Sequence, residues 1–572
     1  MLTQIQRRSA AGSLAADAQL PARLINIYAN RGINQLSEID TSLKQLIHFN
    51  QLKGIQQAAS ILADAIQNKT AICIVGDFDA DGATSTALCM LSLSMLGCRT
   101  HQYLVPNRFD FGYGLSPQIV DVAHSQQARL LMTVDSGIAC IAGVKHAKDL
   151  GMQVIITDHH LAADELPGAD AIVNPNQPGC DFPSKNLAGV GVAFYMMLAL
   201  KAELKQRGHF NQANEPNLAE LLDIVALGTV ADVVKLDHNN RILVHQGLQR
   251  IRSGRCRAGI QAILDVAGRK SANLAASDLG FVVGPRLNAA GRLDDMSQGI
   301  ECLLCEDIGL AREMAVRLDS LNRERREIEA SMQHEALKAL DSLTLNDQHV
   351  PFGLCLYQPD WHQGVIGILA GRIKEKYHRP TIAFAHQDDE FIKGSARSIA
   401  GVHIRDLLED INSRFPNLIT KFGGHAMAAG LTLPVASIND FGNIFAQTCE
   451  RWLEGKPLTG TVLSDGALQG TEMTLDFARM LKQAGPWGQG FEEPCFDDTF
   501  YLLEQKIVGQ KHLKLQVSNS DGQSFDAIAF NIDTQQWPNH AIKKVQLAYK
   551  LELNEFRGNV SVQLLVEAIN PA

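Results

Sequence analysis

A chain of 572 residues is long enough for three to four domains at roughly 150 residues each, and its 46% hydrophobic and 20% charged residues exclude a disordered or fibrous polypeptide. Arg7 and Arg8 precede no continuous apolar region, and no charge-free apolar stretch reaches the ~18–20 residues of a membrane span; the chain is therefore expected in the cytoplasm. The formal net charge of −10 argues against a passive polyanion binder, but basic residues gathered in one groove, or metal ions bound at acidic sites, would reverse the sign locally.

In chain order, the first fifty residues read as an extension. Short apolar runs then alternate with helical patterns: a strand at 71–75, a helix at 83–96, strands at 130–134 and 153–157 with a helix at 142–150 between them, and a short strand at 171–173. Their length and β-branched content predict a parallel α/β sheet covered on both faces. An apolar helix at 218–227 leads into GTVADVV. Cys302 and Cys305 have metal-like spacing, yet IECLLCEDI reads as one apolar helix face and no second pair follows, so these and the other nine cysteines are expected to be structural.

Between 312 and 342 neither Pro nor Gly occurs, and Leu318, Leu321, Ile328 and Met332 recur at helical steps among Arg and Glu. This predicts one long helix with a narrow apolar stripe, roughly 45 Å long at 1.5 Å per residue and able to bridge two domains. A second α/β unit starts near Gly353 with strand GLCLYQ, helix GVIGILAGRIKEKY, strands TIAFAH and FIKGSA, and helix HIRDLLEDINSRF. After Gly460, alternating strands with NSDG and FRGN turns fit a small OB-fold-like β-barrel. The expected divisions are 1–50, a first α/β domain at 51–310, the connecting helix at 311–345, a second α/β domain at 346–458 and the barrel at 459–572.

The strongest chemical signal is IVGDFDADGATST. Asp77, Asp79 and Asp81 alternate directly after an apolar strand, where open α/β sheets bind ligands. Carboxylates this close raise one another's pKa, a conflict that divalent cations remove. A calcium loop of the EF-hand type fails, because the twelfth position from Asp77 is Leu88. Asp135 ends the next apolar run, Asp158, His159 and His160 the one after, and Asp232 follows the helix carrying GTVAD. Taken singly each is an ordinary cap or turn former; gathered at several element ends of one sheet they form a carboxylate-rich site with one or two imidazoles. That donor set suits Mn²⁺ or Mg²⁺ better than zinc, and two such ions ~4 Å apart support hydrolysis at phosphorus.

Read together, DFDADG, VDSG, DHH and VAD resemble the four motifs of the DHH phosphoesterase family. LVPNRFDFGYGLS, PSKNLAGVGVAFY, VVGPRLNAAGRLDDM, WHQGVIGILAGRIKEK, KGSARS and KFGGHAMAAGL extend the resemblance over nearly the whole chain, and GGHAMAAG is similar to the DHH-associated domain. The resemblance implies a single-strand-specific exonuclease that degrades DNA 5′ to 3′ to mononucleotides with two divalent cations, Mn²⁺ or Mg²⁺, in repair and recombination. It implies single-stranded DNA with a 5′ end as substrate, and a single-strand-binding protein and a helicase as partners. Asp77 and Asp79 fall on positions serving mainly one ion, Asp135 on the bridging position, and Asp81, His159 and Asp232 near the other ion; how the three clustered aspartates divide stays open. His160, Asp135 and Asp158 form the implied catalytic set, with His160 at the scissile phosphate or leaving group and Asp158 orienting an imidazole.

KGSARSIAG supplies Lys393, Ser395, Arg397 and Ser398, a compact set of phosphate-binding types, and the resemblance makes Ser395 and Arg397 ligands of a 5′-phosphate, joined by Arg108. Gly423, Gly424 and His425 allow close backbone approach. Arg286, Asn288, Arg292 and His362 are further groove candidates, each also placed to make interdomain hydrogen bonds. In the barrel, Phe525, Phe530, Trp537, Tyr549 and Phe556, with Lys511, Lys514, Lys543, Lys544 and Arg557, are the candidates for a stacking and electrostatic track. Three other readings share the fold: a phosphodiesterase of short oligoribonucleotides or cyclic dinucleotides, a catalytically silent DNA-binding scaffold, and a pyrophosphatase-like enzyme. The long helix, the barrel and the full acidic set weigh against them.

Overall fold

The computed structural model describes residues 3–15, 20–107, 114–211, 214–345, 350–454, 458–534, 536–556 and 558–572. They fall into two compact units, Ile5–Asn322 with Val462–Ala572, and Met1–Gln4 with Arg323–Thr461. No helix among the described residues is long and apolar enough to cross a membrane.

In the first unit, β1 (Ile72–Val75), β2 (His101–Leu104), β3 (Leu130–Val134), β4 (Gln153–Thr157) and β5 (Ala171–Val173) form a fully parallel sheet in the order β2-β1-β3-β4-β5. Successive side chains of a strand face opposite ways, and here both faces are buried. Ile72, Ile74, Leu130, Met132 and Ile155 join one apolar core, while Cys73, Val75, Leu131, Val154 and Ile156 join another. That is why these strands read as continuous apolar runs. The half-buried edge strand β2, with the polar sequence HQYL, gives no such signal and was not expected from the sequence. The strand order reverses between β1 and β3, so a crevice opens there at the strands' carboxyl ends.

Four helices border that crevice. α1 (Ala80–Met95) starts three residues earlier than expected, because Asp79 caps it through hydrogen bonds from the Asp81 and Gly82 N–H groups. α2 (Gly189–Gln206) is buried over most of its circumference. The helix expected at 218–227 is a short 3₁₀ turn followed by α3 (Leu222–Ala231), which leaves Asp232 at the C-cap. α4 (Gly284–Leu293) follows a π-helical turn, Leu279–Val283.

The barrel belongs to the same unit. Its strands β6 (Phe496–Val508), β7 (His512–Ser518), β8 (Ser524–Ala529), β9 (Lys544–Phe556) and β10 (Asn559–Pro571) close in the order β6-β7-β8-β10-β9, and NSDG forms the β7–β8 turn. Tyr549 and Trp537 are core residues, so of the aromatics expected in a stacking track Phe530 is the exposed one. Tyr501 and Leu503 on β6 also face solvent and were missed; the Phe556 side chain and Arg557 lie outside the description. Residues before 50 pack into this unit: Tyr28 Oη donates to the Ala484 carbonyl, and Arg31 forms a two-pronged pair with Asp465 at 2.9 and 3.0 Å.

α5 (Ile308–Leu345) is one unbroken 38-residue helix. Ala311, Ala315 and Leu318 join the first unit's core, and Met332, Ala336 and Leu340 join a core of the second. The second unit's sheet has β11 (Leu354–Tyr357) parallel to β12 (Thr381–His386), then antiparallel β13 (Phe391–Arg397), β15 (Ala428–Pro434) and β14 (Lys421–Gly424). GGHAMAAG is therefore a hairpin, which its glycine and alanine content concealed. All eleven cysteines are free, and Cys302 is buried in the core.

Arg31 and Asp465 are both 1% exposed at the side chain, and Arg31 also donates to the Glu492 and Ile27 carbonyls and covers the Trp487 ring. Arg31→Ala strands the Asp465 carboxylate in the interior and should destabilise the full-length protein by about 3–5 kcal/mol, read from the denaturation midpoint by tryptophan fluorescence. A loss no larger than the ~1 kcal/mol of an exposed pair would mean that this contact does not fasten the N-terminal residues to the barrel segment.

Candidate metal centre

Every acidic residue singled out in the first unit reaches the crevice at the carboxyl end of the sheet. Asp77 follows β1, Asp135 follows β3, Asp158 and His159 follow β4, and Asp232 ends α3. Their ligand atoms gather in three overlapping sets, each within 4.8 Å: Asp77, Asp79 and Asp135; Asp81, His159 and Asp232; and Asp135, His159 and His160. Asp135 is common to two of these sets and stands at the centre. His159 Nε2 lies 3.1 Å from Asp135 Oδ1 and 3.6 Å from Asp232 Oδ2.

Backbone geometry fixes these side chains. Asp135 takes a left-handed conformation, φ 58°, which Asp tolerates better than most residues, and this turns its carboxylate against the start of α2. There Gly189 leaves no room for a side chain, since a Cβ would sit 2.6 Å from Asp135 Oδ1. Asp81, buried in the first turn of α1, accepts from the Gly189 and Val190 N–H groups at 2.6 and 2.9 Å. It therefore joins two helices as well as facing His159, a clamp that the sequence did not disclose. Asp79 uses Oδ1 to cap α1.

Asp158 lies where it can orient an imidazole, its Oδ1 2.8 Å from His160 Nδ1. It is 1% exposed, and both its oxygens are engaged: Oδ1 accepts from the His159 and His160 N–H groups and from His160 Nδ1, Oδ2 from the Ile138 N–H. It is a positioning residue. A carboxylate can only accept, so His160 carries its proton on Nδ1 and presents Nε2 away from Asp158. Asn174 and Asn176, also unforeseen, hold the His160 and His159 carbonyls through their amide groups; the polar run NPNQP after a short strand was the available signal.

The charges conflict as expected. Burial, then repulsion from Asp79, pushes Asp81 up to about 7. Burial and the neighbouring aspartates drive Asp135 and Asp232 well above the usual carboxylate range. Burial pulls His159 down to about 4, so the imidazole is neutral, and its Nε2 is buried with no hydrogen-bond partner. Burial opposes charge on both Asp158 and His160 and is the largest single influence, but their mutual hydrogen bond and attraction, with neighbouring charges added, together outweigh it, lowering the first pKa and raising the second. Clustered oxygens of raised basicity around one neutral imidazole fit hard divalent cations.

Residues expected in a substrate groove separate into two kinds. Arg286 is buried in an ion pair with Asp319, 2.8 Å away, and donates to the Val282 carbonyl. Asn288 accepts from the Ala80 N–H, and Ser398, 1% exposed, donates to the Val402 carbonyl. These three are engaged inside the fold because burial requires their polar atoms to be satisfied there. Arg292 stands half-buried in the last turn of α4, and Arg108 lies outside the described residues.

In the second unit, Arg397 is half-buried and donates to Ser395 Oγ and the Ala396 carbonyl. Burial lowers its pKa, and among the described residues no carboxylate pairs with it. Both side chains face the first turn of helix α6 (Ile366–Tyr377), where a Cβ on Gly367 would lie 2.9 Å from Arg397 Nη2 and Ser395 Oγ. A guanidinium, a hydroxyl and a helix N-terminus together make an anion cradle. Gly423, Gly424 and exposed His425 lie at the β14–β15 hairpin, and His362 accepts from the Gly364 N–H.

Comparison with known proteins covers all three parts. The N-terminal domain of the DHH family matches residues 71–229, the DHHA1 domain residues 351–451 and the RecJ OB domain residues 464–568. The chain is 54% identical to the single-stranded-DNA-specific exonuclease RecJ of Escherichia coli over 99% of both chains. It is 55% identical to that of Dickeya dadantii over the whole of both. The structure of RecJ in complex with Mn²⁺ from Thermus thermophilus superposes with a TM-score of 0.81 at 26% identity, covering 99% of this chain and 80% of that one. The corresponding Mg²⁺ complex gives 0.75 at 25% identity, covering 99% and 78%.

Protons held on Asp81, Asp135 and Asp232 must leave when a divalent cation binds, whereas His159 is already neutral above about pH 4. Affinity for Mn²⁺ should therefore rise by roughly tenfold or more between about pH 6 and about pH 8 in calorimetric titration, with protons released. A flat profile would show that the carboxylates are ionised without metal. Gly189→Ala, which forces Asp135 aside, should weaken Mn²⁺ binding by at least about tenfold and, by overpacking a buried contact, lower the melting temperature.

Proposed function

The chain belongs to the RecJ family, and from that premise we propose that it is a metal-dependent exonuclease that degrades single-stranded DNA from the 5′ end to mononucleotides. The observation that carries the reading is the convergence of Asp77, Asp79, Asp135, His159 and Asp232 on one crevice, with Asp135 shared between ligand sets. Asp77, Asp79 and Asp135 would hold one cation and Asp81, His159 and Asp232 the other, with Asp135 between them and Asp81 also fixing α2. Mn²⁺ or Mg²⁺ bound there supplies an activated water and neutralises charge on the phosphodiester oxygens.

The chain's own groups do the rest. His160, held by Asp158 with its proton on Nδ1, offers Nε2 to the scissile phosphate or the departing oxygen. The hydrogen bond and attraction to Asp158 raise the His160 pKa against burial, favouring the protonated ring that a donor to a leaving group requires. Ser395, Arg397 and the α6 N-terminus take the terminal 5′-phosphate, with Gly423, Gly424, His425, Arg292, His362 and Arg108 as further substrate contacts; Arg286, Asn288 and Ser398 support these positions from inside the fold. Exposed Phe530, Lys511, Lys543 and Lys544 on the barrel give the displaced length of strand a stacking and electrostatic track. Restriction to unpaired DNA makes a helicase and a single-strand-binding protein the natural partners, in repair and recombination in the cytoplasm.

The direct test is digestion of single-stranded and duplex DNA, labelled at one end, with Mn²⁺, Mg²⁺ or chelator. Mononucleotides should be released from the 5′ end of the single strand alone, and chelator or Asp135→Ala should abolish release; duplex cleavage or 3′ release would refute the reading. Arg397→Ala should lower kcat/KM on 5′-phosphorylated strands by roughly 10- to 100-fold, the loss of a charged hydrogen bond of about 1.5–3 kcal/mol, and change little on 5′-hydroxyl strands.

A further inference from the structure

Beside the metal centre lie two features that the hydrolysis does not use. Val233 follows Asp232 directly and has φ 62°, a left-handed backbone that costs a β-branched residue energy. Its side chain is 64% exposed, so burial returns nothing for the strain. The second feature is the π-helical turn Leu279–Val283, a widened turn that recurs at functional sites. Phe281 within it is 77% exposed, the most exposed large apolar side chain among the described residues.

The two are neighbours. The Val233 N–H donates to the Val230 carbonyl at 3.2 Å, and a Cβ on Gly280 would lie 3.6 Å from that same oxygen and 3.2 Å from Val230 Cγ1. The π-turn is also locked along both metal-bearing segments. A Cβ on Gly284 would lie 3.1 Å from the Ala231 methyl, and one on Gly291 would meet the Phe78 carbonyl, while Asn288 holds the Ala80 N–H. Phe281 thus stands exposed on a turn packed against Val230, two residues before Asp232, and has no core role.

We propose that Phe281, on the turn packed against the segment that ends in Asp232, is a platform on which an unpaired base of the substrate stacks near the metal centre. The inference rests on the reading of the chain as a single-strand exonuclease and adds the contact that engages its bases. An exposed aromatic face lies unused until another planar apolar surface covers it, and a nucleobase offers one whatever its sequence. Bases inside a duplex are already stacked on both faces, so only a strand with free base faces can use the ledge. The platform therefore adds selectivity for unpaired DNA to whatever the width of the crevice supplies.

The test uses the full-length protein with Mn²⁺ and 5′-phosphorylated oligonucleotides carrying one abasic residue at successive positions along about the first ten nucleotides. Phe281→Ala should raise KM about tenfold with kcat within about twofold and the melting temperature unchanged, and Phe281→Trp should restore KM. For the wild type, an abasic residue at one or two positions should raise KM by a similar factor, and Phe281→Ala should be indifferent at those positions. Wild-type KM in Phe281→Ala, a fall in kcat alone, or an abasic penalty retained in the variant would overturn the platform, as would docking of a protein there in place of DNA, which leaves the abasic series unchanged. Failure of the wild type to degrade single strands would instead overturn the exonuclease reading.

Discussion

Crowding of negative charge at one edge of the parallel sheet is the constraint that organises this protein. Asp77, Asp79, Asp81, Asp135 and Asp232 converge there with Asp158 behind them, and three of the five are pushed far up in pKa by burial and by one another. Without compensation such a cluster would be a liability of several kcal/mol per uncompensated charge. The fold offsets part of it with backbone dipoles: the first turn of α1 meets Asp79 and the first turn of α2 meets Asp81. What remains is what a pair of divalent cations removes. The acids that repel one another are thus the ones suited to hold the cations.

Sheet topology explains why the cluster forms at all. The reversal between β1 and β3 opens a crevice in which loops from either side cannot cover each other, and both strands end in aspartate. Asp135 then needs two further concessions, a left-handed backbone and a glycine opposite it at the head of α2. A further positive-φ residue, Val233, follows Asp232. Asp135 and Val233 thus carry left-handed backbone at or next to the site, and the buried core of apolar strands beneath the crevice holds Asp135 there.

Much of this was legible in the sequence because the physics is local. Strands 130–134, 153–157 and 171–173 stand where the apolar runs place them, and the long helix extends a few residues beyond its charged, glycine-free stretch to Ile308–Leu345. Elements dominated by tertiary contacts were not legible. HQYL forms a strand only because β1 pairs with it, and GGHAMAAG forms a hairpin because β13 does. The helix after DFDADG starts earlier than its glycine suggests, since Gly82 is required where a Cβ would lie 2.5 Å from the Asp77 carbonyl oxygen. At the site, spacing could bring the acids to strand ends, but whether an arginine is free or paired is decided elsewhere in the chain. Arg286 and Arg397 look alike in sequence; Asp319, 33 residues further on, neutralises one, and no carboxylate among the described residues reaches the other.

That difference also resolves how a chain of net charge −10 handles a polyanion. Net charge counts Arg31, Arg286 and Arg325 as positive, yet each is held by a carboxylate inside the protein and projects little field. It likewise counts the crevice aspartates as negative, although cations invert their sign when bound. The positive charge left over includes a guanidinium at Arg397 that no carboxylate among the described residues pairs with, and exposed lysines at 511, 543 and 544 on the barrel. For this protein, pairing geometry and not composition determines where positive charge is left uncompensated.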